Sequence, residues 1–440
     1  MKHDTFVFAA ACVVLSVTLV TPRSARAEVT LVEGGDWALS VDGRVNAFIS
    51  VARGTGIPDQ QPDFPGTITK DTKDTEGNIA STRIRNGFMM SILGFNAHKE
   101  LSENLKVSAR VALWMNTSSS RTKNVPGLVD PRELYGRLEG PWGSFQGGSD
   151  LALFGRGGML TDAAIAHDYG MGYPCLIQDA SGGACGMAAF GAIFSGFEPG
   201  LTYTTPSLAG LALAVGLYDP ANIANGDLNR SPLPRIEGEV SFTHEIVRVY
   251  ASGFWQDMEG TISDPGGPPG SKKDLKTEAW GAQAGLMLTL GPVMVGGAGF
   301  TGSGLSPITH IDEHQTAVDS TGTLRKSRGV FGLGGFVIDS IHTKLAGGVG
   351  VFHVDKTSND PEPVSPTGTP QNPQVLKENV GFTAGVYQTT GPVIFALEYF
   401  RAEHTLYPFG QTNPVDPSVV DIHYPAQAVN FVNAGFTVIW

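Results

Sequence analysis

Apolar and polar residues alternate along most of this chain, in one segment after another. In residues 430–440, one parity holds apolar side chains and the other holds smaller or more polar ones. Successive side chains of a β-strand point to opposite faces, so this segment is predicted to be a strand with one apolar face. Its apolar parity contains Val432, Ala434, Phe436, Val438 and Trp440.

In many of these segments the second parity carries charged side chains at its centre, where a dry core would not accept them. Each segment is about 9 to 13 residues long, the length that a tilted strand needs to cross a membrane. We therefore predict strands with lipid on one side and water on the other. The charged residues that the pattern directs towards water are Asp42, Arg44, Lys106, Arg110, Glu237, Glu239, Arg248, Lys344 and Glu398.

The lengths of the connections distinguish a barrel from a sandwich, which would show the same alternation. Short turns such as Gly291-Pro292 alternate with long polar links rich in proline and glycine. Eight long links and seven short turns join sixteen strands, which is typical of an outer-membrane barrel. We predict an all-β fold: a 16-stranded antiparallel transmembrane β-barrel, closed so that its backbone polar groups are paired. The long links are 54–80, 117–131, 155–199, 219–233, 259–275, 303–326, 356–377 and 404–426.

Two segments do not show clearly which face points outwards. From Ser81 to His98 neither parity is polar, and Arg132 to Glu139 carries charge on both parities. One hypothesis is that these strands pack against a neighbouring subunit rather than lipid.

The first 27 residues have the features of a secretory signal peptide. Lys2 gives a weakly positive N-terminal region, residues 6–20 are apolar, and Ala25-Arg26-Ala27 is a cleavage site of the A-x-A type. The apolar core of about 15 residues is too short for a transmembrane helix, which needs roughly 20. We predict cleavage of residues 1–27, which leaves one barrel domain over residues 28–440.

The charge and the cysteines of the exported part limit its partners and its compartment. The chain has 30 Lys and Arg and 42 Asp and Glu. Without residues 1–27 these become 27 and 41, a net charge of −14, which disfavours nucleic acid as a partner. Cys175 and Cys185 remain, and an even pair in an oxidising compartment indicates a disulfide, although two buried thiols are the alternative.

The third long link, residues 155–199, is the longest and much of it is apolar or small. An apolar loop of a wide barrel is expected to fold inwards and pack on the wall, tethered by the disulfide. We predict that it narrows the pore, with its acids facing bases on the wall and sorting solutes by size and charge. The alternative is that these acids only cap turns and solvate the rim. The predicted constriction residues are Asp162, Asp168, Asp179, Arg44, Lys106 and Arg110.

Two internal segments and the C-terminus resemble the general porins of Gram-negative bacteria. SILGFNAHKELSENLKVSARV (91–111) is similar to the second hairpin of that family, and RELYGRLEGPWGSFQGGSD (132–150) is similar to its fourth and fifth strands. The matching positions are Ser91, Gly94, Leu101, Leu105, Arg132, Leu138, the turn at 142–145 and the terminal aromatic Trp440.

The resemblance implies a homotrimeric, 16-stranded channel for passive diffusion across the outer membrane, with loop three narrowing the pore. It implies that the barrel-assembly machinery recognises the last strand through Phe436, Val438 and Trp440. The other implied partners are outer-membrane lipid, lipopolysaccharide and small hydrophilic solutes. The chain departs from the family at Ile92, where a pore-lining arginine is common, at Gly148-Ser149, where Gly-Arg is common, and in lacking a PEFGG-type loop sequence.

The sequence motifs that would indicate a dinucleotide site, a metal site or a serine hydrolase are absent or lie in an unsuitable structural context. Residues 297–302 fit GxGxxG but lie in a glycine-rich strand with no helix after it. His310 and His314 are four residues apart in a loop rather than on a helix, and no G-x-S-x-G occurs. We predict no enzymatic activity, no cofactor and no metal. The leading function is a water-filled porin; the alternatives are a substrate-selective channel, a non-channel adhesin or structural barrel, and an outer-membrane hydrolase.

Overall fold

A computed structural model describes most of the chain after the predicted signal peptide. The described residues are 28–34, 37–55, 78–115, 129–162, 170–174, 184–193, 195–221, 230–263, 267–268, 271–306, 317–319, 321–371 and 375–440. Within these ranges no helix is long and apolar enough to cross a membrane.

The described residues form twenty β-strands, one α-helix and one 3₁₀-helix. The helices are α1 (Arg156–Asp162) and the 3₁₀ turn Asp339–Ile341. The strands are β1 Val29–Gly34, β2 Trp37–Thr55, β3 Asn78–Arg85, β4 Ser91–Ser102, β5 Leu105–Met115, β6 Val129–Gly140, β7 Gly143–Leu151, β8 Phe197–Thr204, β9 Leu211–Tyr218, β10 Arg235–His244, β11 Val247–Ser263, β12 Lys272–Leu290, β13 Val293–Ser303, β14 Lys326–Ile338, β15 Thr343–Val354, β16 Leu376–Thr390, β17 Val393–Leu406, β18 Phe409–Thr412, β19 Val420–His423 and β20 Ala426–Ile439.

Sixteen antiparallel barrel strands close into a ring. Each strand from β4 to β17 pairs with the next, β17 pairs with β20, and β20 pairs with β2 from Arg44↔Ile439 to Thr55↔Ala428. β3 and β4 are two halves of one barrel strand, because both pair with the same side of β2. The predicted fold class is confirmed.

The break between β3 and β4 is a feature that the alternation did not predict. At this break Gly87 N–H donates to Asn46 Oδ1 (2.8 Å), and Phe88 N–H donates to the carbonyl of Gly170 (2.8 Å). The strand therefore opens where a distant segment, the loop between β7 and β8, reaches the wall.

The N-terminal strand β1 was also not predicted. It pairs with β2 from Val29↔Val41 to Gly34↔Trp37, beyond the end of the β20 pairing. There the backbone N–H and C=O of Gly43 bond to Trp440 (2.9 and 3.0 Å). β1 therefore extends the barrel seam past the last residue of the chain, and β2 is paired over its whole length.

The two faces of the barrel strands match the predicted parities. The apolar parity is exposed in the isolated chain, as expected for a face that contacts lipid. Examples of about 40 to 50 % exposure on this face are Leu213, Val215, Leu217, Ile236, Val240, Leu286, Leu345, Val349, Phe382 and Phe436. The opposite parity, which faces the interior, is half-buried or buried.

The alternation of short and long connections is as predicted. The last long link contains one additional element, the β18–β19 hairpin, in which Phe409 pairs with His423. The third loop, as the structure bounds it, is residues 152–196, because β7 ends at Leu151 and β8 begins at Phe197. Glu198 and Pro199 therefore belong to β8 rather than to the predicted loop 155–199.

Candidate functional site: the inner face of the barrel

The inner face has two unlike parts, each named here by its residues. The polar wall comprises inner-face side chains of β2 and β4–β7: Asp42, Arg44, Asn96, Lys106, Arg110, Glu133, Tyr135, Arg137, Glu139, Gln146 and Asp150. The covered wall comprises inner-face residues of β10–β17 and β20 that contact the third loop: Glu237, Glu239, Tyr250, Phe331, Gly350, Gly381, Glu398, Phe400 and Phe431.

Arg110 is the centre of the polar wall. Its guanidinium binds Asp42 through two nitrogens (2.6 and 3.1 Å), Asn96 Oδ1 (2.7 Å) and the carboxylate of Glu133. Asn96 also donates to Asp42 (2.6 Å), which closes the network. The side chain of Arg110 reaches Asp42 by crossing β4 at Gly94, where a Cβ atom would lie 2.8 Å from both terminal nitrogens.

A second network lies beside the first on β6 and β7. Arg137 donates to Gln146 Oε1 (2.9 and 2.5 Å), and Gln146 donates to Asp150 (2.8 Å). Arg137 also lies 3.9 Å from Glu139. The ion-paired side chains of the polar wall keep between 14 and 41 % of their surface exposed, so they remain accessible from the interior.

The other two predicted bases on this wall, Arg44 and Lys106, flank these networks. Arg44 donates to the carbonyl of Met90 (3.1 Å) and lies 5.8 Å from the ring centre of Trp114. Lys106 is half-buried and pairs in register with Glu139. Ile92, which replaces the arginine common in the porin family, is buried in a small apolar cluster with Trp114.

The third loop packs on the covered wall through aromatic and small residues. The ring of Phe190 lies 5.1 Å from Phe400 and 4.8 Å from Tyr173, and all three are fully buried. Glycines make this approach possible: a Cβ at Gly350 would overlap the carbonyl oxygen of Phe190, and one at Gly381 would lie 2.6 Å from its ring. The loop therefore rests directly on the backbone of β15 and β16.

Three glutamates of the covered wall hold the loop by its polar groups. Glu398 accepts bonds from the backbone N–H of Met171 (2.7 Å) and Gly172 (3.1 Å) and from the hydroxyl of Tyr387 (2.6 Å). Glu237 accepts from the backbone N–H of Phe154 (2.7 Å).

Glu239 forms an ion pair with Arg156 at the start of α1. Burial alone lowers the pKa of Arg156, but the Glu239 carboxylate outweighs it and raises that pKa above its usual value. Glu237, Glu239 and Glu398 are at most 9 % exposed, so they lie beneath the loop instead of lining open water as expected. The alternation indicated their face correctly but not what covers it.

Further contacts fix the loop around Tyr173. Its hydroxyl lies 3.3 Å from Nε2 of His404, whose Nδ1 lies 2.7 Å from Asn379. Burial raises the pKa of Tyr173 above its ordinary value. Asn433 donates to the carbonyl of Gly172 (2.8 Å). Side chains from three strands thus converge on one short stretch of the loop.

Two long links above the covered wall are joined by a buried ion pair and hydrogen bonds. Arg325 binds Asp360 through two nitrogens (2.5 and 2.9 Å), and the pair is about 5 % exposed. Asp319 accepts bonds from Thr321, Thr323, Thr357 and Asn359. Burial alone raises the pKa of Asp319, but these hydrogen bonds outweigh it and hold that pKa below its ordinary value.

The remaining predicted residues are placed as follows. Arg248 is exposed near the start of β11, and Lys344 lies 5.6 Å from the ring of Tyr387. Phe436 and Val438 are on the outer face of β20, and the Trp440 ring covers Gly43 at the seam. Asp168, Asp179, Cys175 and the side chain of Asp162 lie outside the described residues, and Cys185 is buried. The opposition of loop acids to wall bases therefore stays a prediction.

Several polar-wall residues were not predicted. Glu133, Arg137 and Glu139 fall in the segment whose parity was ambiguous, because it carries charge on both faces. Gln146 and Asp150 lie on β7, for which the sequence does not predict an inner face. The cross-strand register identifies them, since it places Arg137 opposite Gln146 and Arg110 opposite Tyr135.

Comparison with known proteins finds similarity in structure only. No family model matches the chain, and no curated protein matches it in sequence. Among solved structures, the outer-membrane channel DcaP of Acinetobacter baumannii matches with a TM-score of 0.58 at 12 % identity, over 94 % of this chain and all of that one.

Two further structures match over 92 % of this chain and all of theirs. The anion-selective porin from Comamonas acidovorans has a TM-score of 0.55 at 11 % identity, and Salmonella typhi OmpF, in complex with daunomycin, has 0.52 at 10 %. The fold of this chain is the fold of Gram-negative outer-membrane porins and channels.

Proposed function

We propose that this protein is an outer-membrane porin: a water-filled channel through which small hydrophilic solutes and ions diffuse passively. The observation that carries the proposal is the polar wall. A closed barrel with an apolar exterior carries an array of accessible charged and amide side chains on its inner face. Such side chains serve no purpose in a barrel that is sealed to water.

We further propose that the third loop narrows this channel from one side. Its contacts with inner-face residues Glu237, Glu239, Glu398, Phe400 and Phe431 support this arrangement. A disulfide between Cys185 and Cys175 is part of the proposal and is supported by the bonded state of Cys185. The open path would then run along the polar wall.

The remaining parts of the proposal concern export and assembly. Residues 1–27 act as a cleaved signal, the barrel inserts in the outer membrane through recognition of its last strand, and three copies associate. These follow from the sequence pattern, the porin resemblance and the structural similarity to porins. Gel mobility of the unheated protein tests the trimer, and N-terminal sequencing of the membrane form tests cleavage before Glu28.

Planar-bilayer conductance tests the channel itself. The purified protein in detergent, added to a lipid bilayer, should give stepwise current increases whose size grows with salt concentration. Its folded state is checked first by the shift in gel mobility on heating. Folded protein that gives no current steps would contradict the proposed function.

A further inference from the structure

The ion pairs of Arg110 bear on which solutes the polar wall can select. We propose that Arg110 is the specificity-determining residue of the pore, and that Asp42 and Glu133 mask its charge so that the channel has no preference for anions. The solutes it favours are uncharged and zwitterionic polar molecules. This inference rests on the proposed channel function.

The first step is the geometry of the Arg110 guanidinium. It lies between two carboxylates, bound to Asp42 through both terminal nitrogens and to Glu133 through Nε. A guanidinium held in this manner offers few donors to a passing anion, because its fork is already occupied. The group of one base and two acids carries a net charge of −1.

The second step is the position of this group. On β4, the inner-face position next to Gly94 is Ile92, which is 5 % exposed, so β4 supplies no cation there. Arg110 comes from the next strand and lies over Gly94, two residues further along β4. The cation beside Gly94 is therefore supplied by β5 rather than β4, and it is already ion-paired with two carboxylates.

The third step is the balance of charge over the rest of the polar wall. The remaining bases Arg44, Lys106 and Arg137 are interleaved with the acids Glu139 and Asp150. The neighbouring inner-face positions add Arg83 and Arg85 of β3 and Glu100 of β4. With the Arg110 group these residues comprise six bases and five acids, so their charges nearly balance. A permeating solute therefore meets closely spaced opposite charges, whose fields largely cancel for a single charge but can bind both ends of a zwitterion.

The decisive measurement is the chloride-to-potassium permeability ratio from reversal potentials in a KCl gradient. In the double variant Asp42→Asn/Glu133→Gln, we expect this ratio to rise at least about fivefold, because the charge of the Arg110 group changes from −1 to +1 and one unit charge about 4 Å from a permeating ion in water already gives that factor. Arg110→Gln should lower it by a smaller factor, because the charge of the group changes by only one unit, from −1 to −2. Glu259→Gln, which removes an acid from the outer face of β11, is the matched control and should leave the ratio unchanged.

Gly94→Ala provides a test without any change of charge. The added methyl group displaces the Arg110 nitrogens from Asp42, so the ratio should rise, by less than in the double variant. The single variants Asp42→Asn and Glu133→Gln serve if the double variant does not fold. Folded, conducting variants that all keep the wild-type ratio would overturn the proposal, whereas a wild-type protein that forms no channel would contradict the proposed function instead.

Liposome swelling tests the solute class directly. Arabinose, proline and gluconate represent an uncharged, a zwitterionic and an anionic solute. Wild-type protein should admit arabinose and proline faster than gluconate, and the double variant should reduce that difference. Gluconate entering the wild type as fast as proline would contradict the inference.

Discussion

The polar wall and the covered wall occupy the same inward register of one barrel, yet they are built from different residues. The polar wall has long charged side chains that bind one another, as Arg110 binds Asp42 and Glu133. The covered wall has glycines and aromatic rings, with glutamates placed where a loop presents backbone N–H groups. An inward-facing position can therefore have either of two environments. Charged side chains that pair with one another face water, whereas small side chains allow a loop to pack against the wall.

The comparison implies that carboxylates of similar appearance have opposite functions on the two walls. Glu398 of the covered wall should be structural, because it satisfies buried donors, whereas Glu133 of the polar wall should affect conduction.

Replacing Glu398 with alanine should destabilise the protein by about 3 kcal/mol or more. The substitution leaves the N–H groups of Met171 and Gly172 and the hydroxyl of Tyr387 buried without this acceptor, at about 1–3 kcal/mol for each unsatisfied group. Urea unfolding in detergent measures the loss. Single-channel records should also become noisier, because the loop is released.

Glu403→Ala is the control for this variant. Glu403 lies on the outer face of the same strand, is about half exposed and pairs with Arg401. Its removal should change stability by less than about 1 kcal/mol, as is usual for a surface ion pair. Equal losses from the two variants would contradict the division between the walls.

Replacing Gly350 with alanine should have the next largest effect. The added Cβ overlaps the carbonyl oxygen of Phe190, so either the loop or β15 must shift. Overpacking of this kind typically costs about 1–3 kcal/mol. Because the shift moves the loop away from the covered wall, the single-channel conductance should fall.

The matched control is Gly332→Ala on the outer face of β14, where a Cβ meets no atom within 4 Å. It should leave both stability and conductance near wild type. If Gly350→Ala conducts and unfolds like Gly332→Ala, the loop does not rest on β15 in the working channel.

The contrast between the walls also shows what the sequence could and could not predict. A membrane imposes a period of two and segregates loop lengths, so the sixteen strands and most of their outer faces were predictable. The break at residues 86–90 was not, because it depends on Gly170 arriving from a distant loop. β1 was missed because its residues give no sign of the space left beyond Trp440.

The candidate site was predictable only as far as the face of each residue. Alternation placed Asp42 and Glu398 on the inside equally, although one binds Arg110 and the other is buried beneath the loop. Which of the two occurs depends on tertiary neighbours. Arg110 on β5 and Asp42 on β2 lie on opposite sides of β4. Only the strand register, which places Gly94 between them, shows that the Arg110 side chain can cross β4.

The smallest predicted effect concerns the long links above the covered wall. Hydrogen bonds hold the pKa of Asp319 below its unfolded value of 3.8, so its carboxylate stabilises the links above that pH. This contribution is lost as the pH falls through the lowered pKa. The backbone N–H groups of Thr321 and Thr323, which donate to Asp319, should therefore exchange faster at pH 3 than at pH 6, after correction for intrinsic rates. In Asp319→Asn exchange should already be faster at pH 6 and should change little with acid, while the Phe88 amide, which donates to the backbone carbonyl of Gly170, provides an internal reference without a titratable acceptor. A variant that keeps the wild-type acid response would show that another group controls these links, and the difference between the walls would then not extend to the long links.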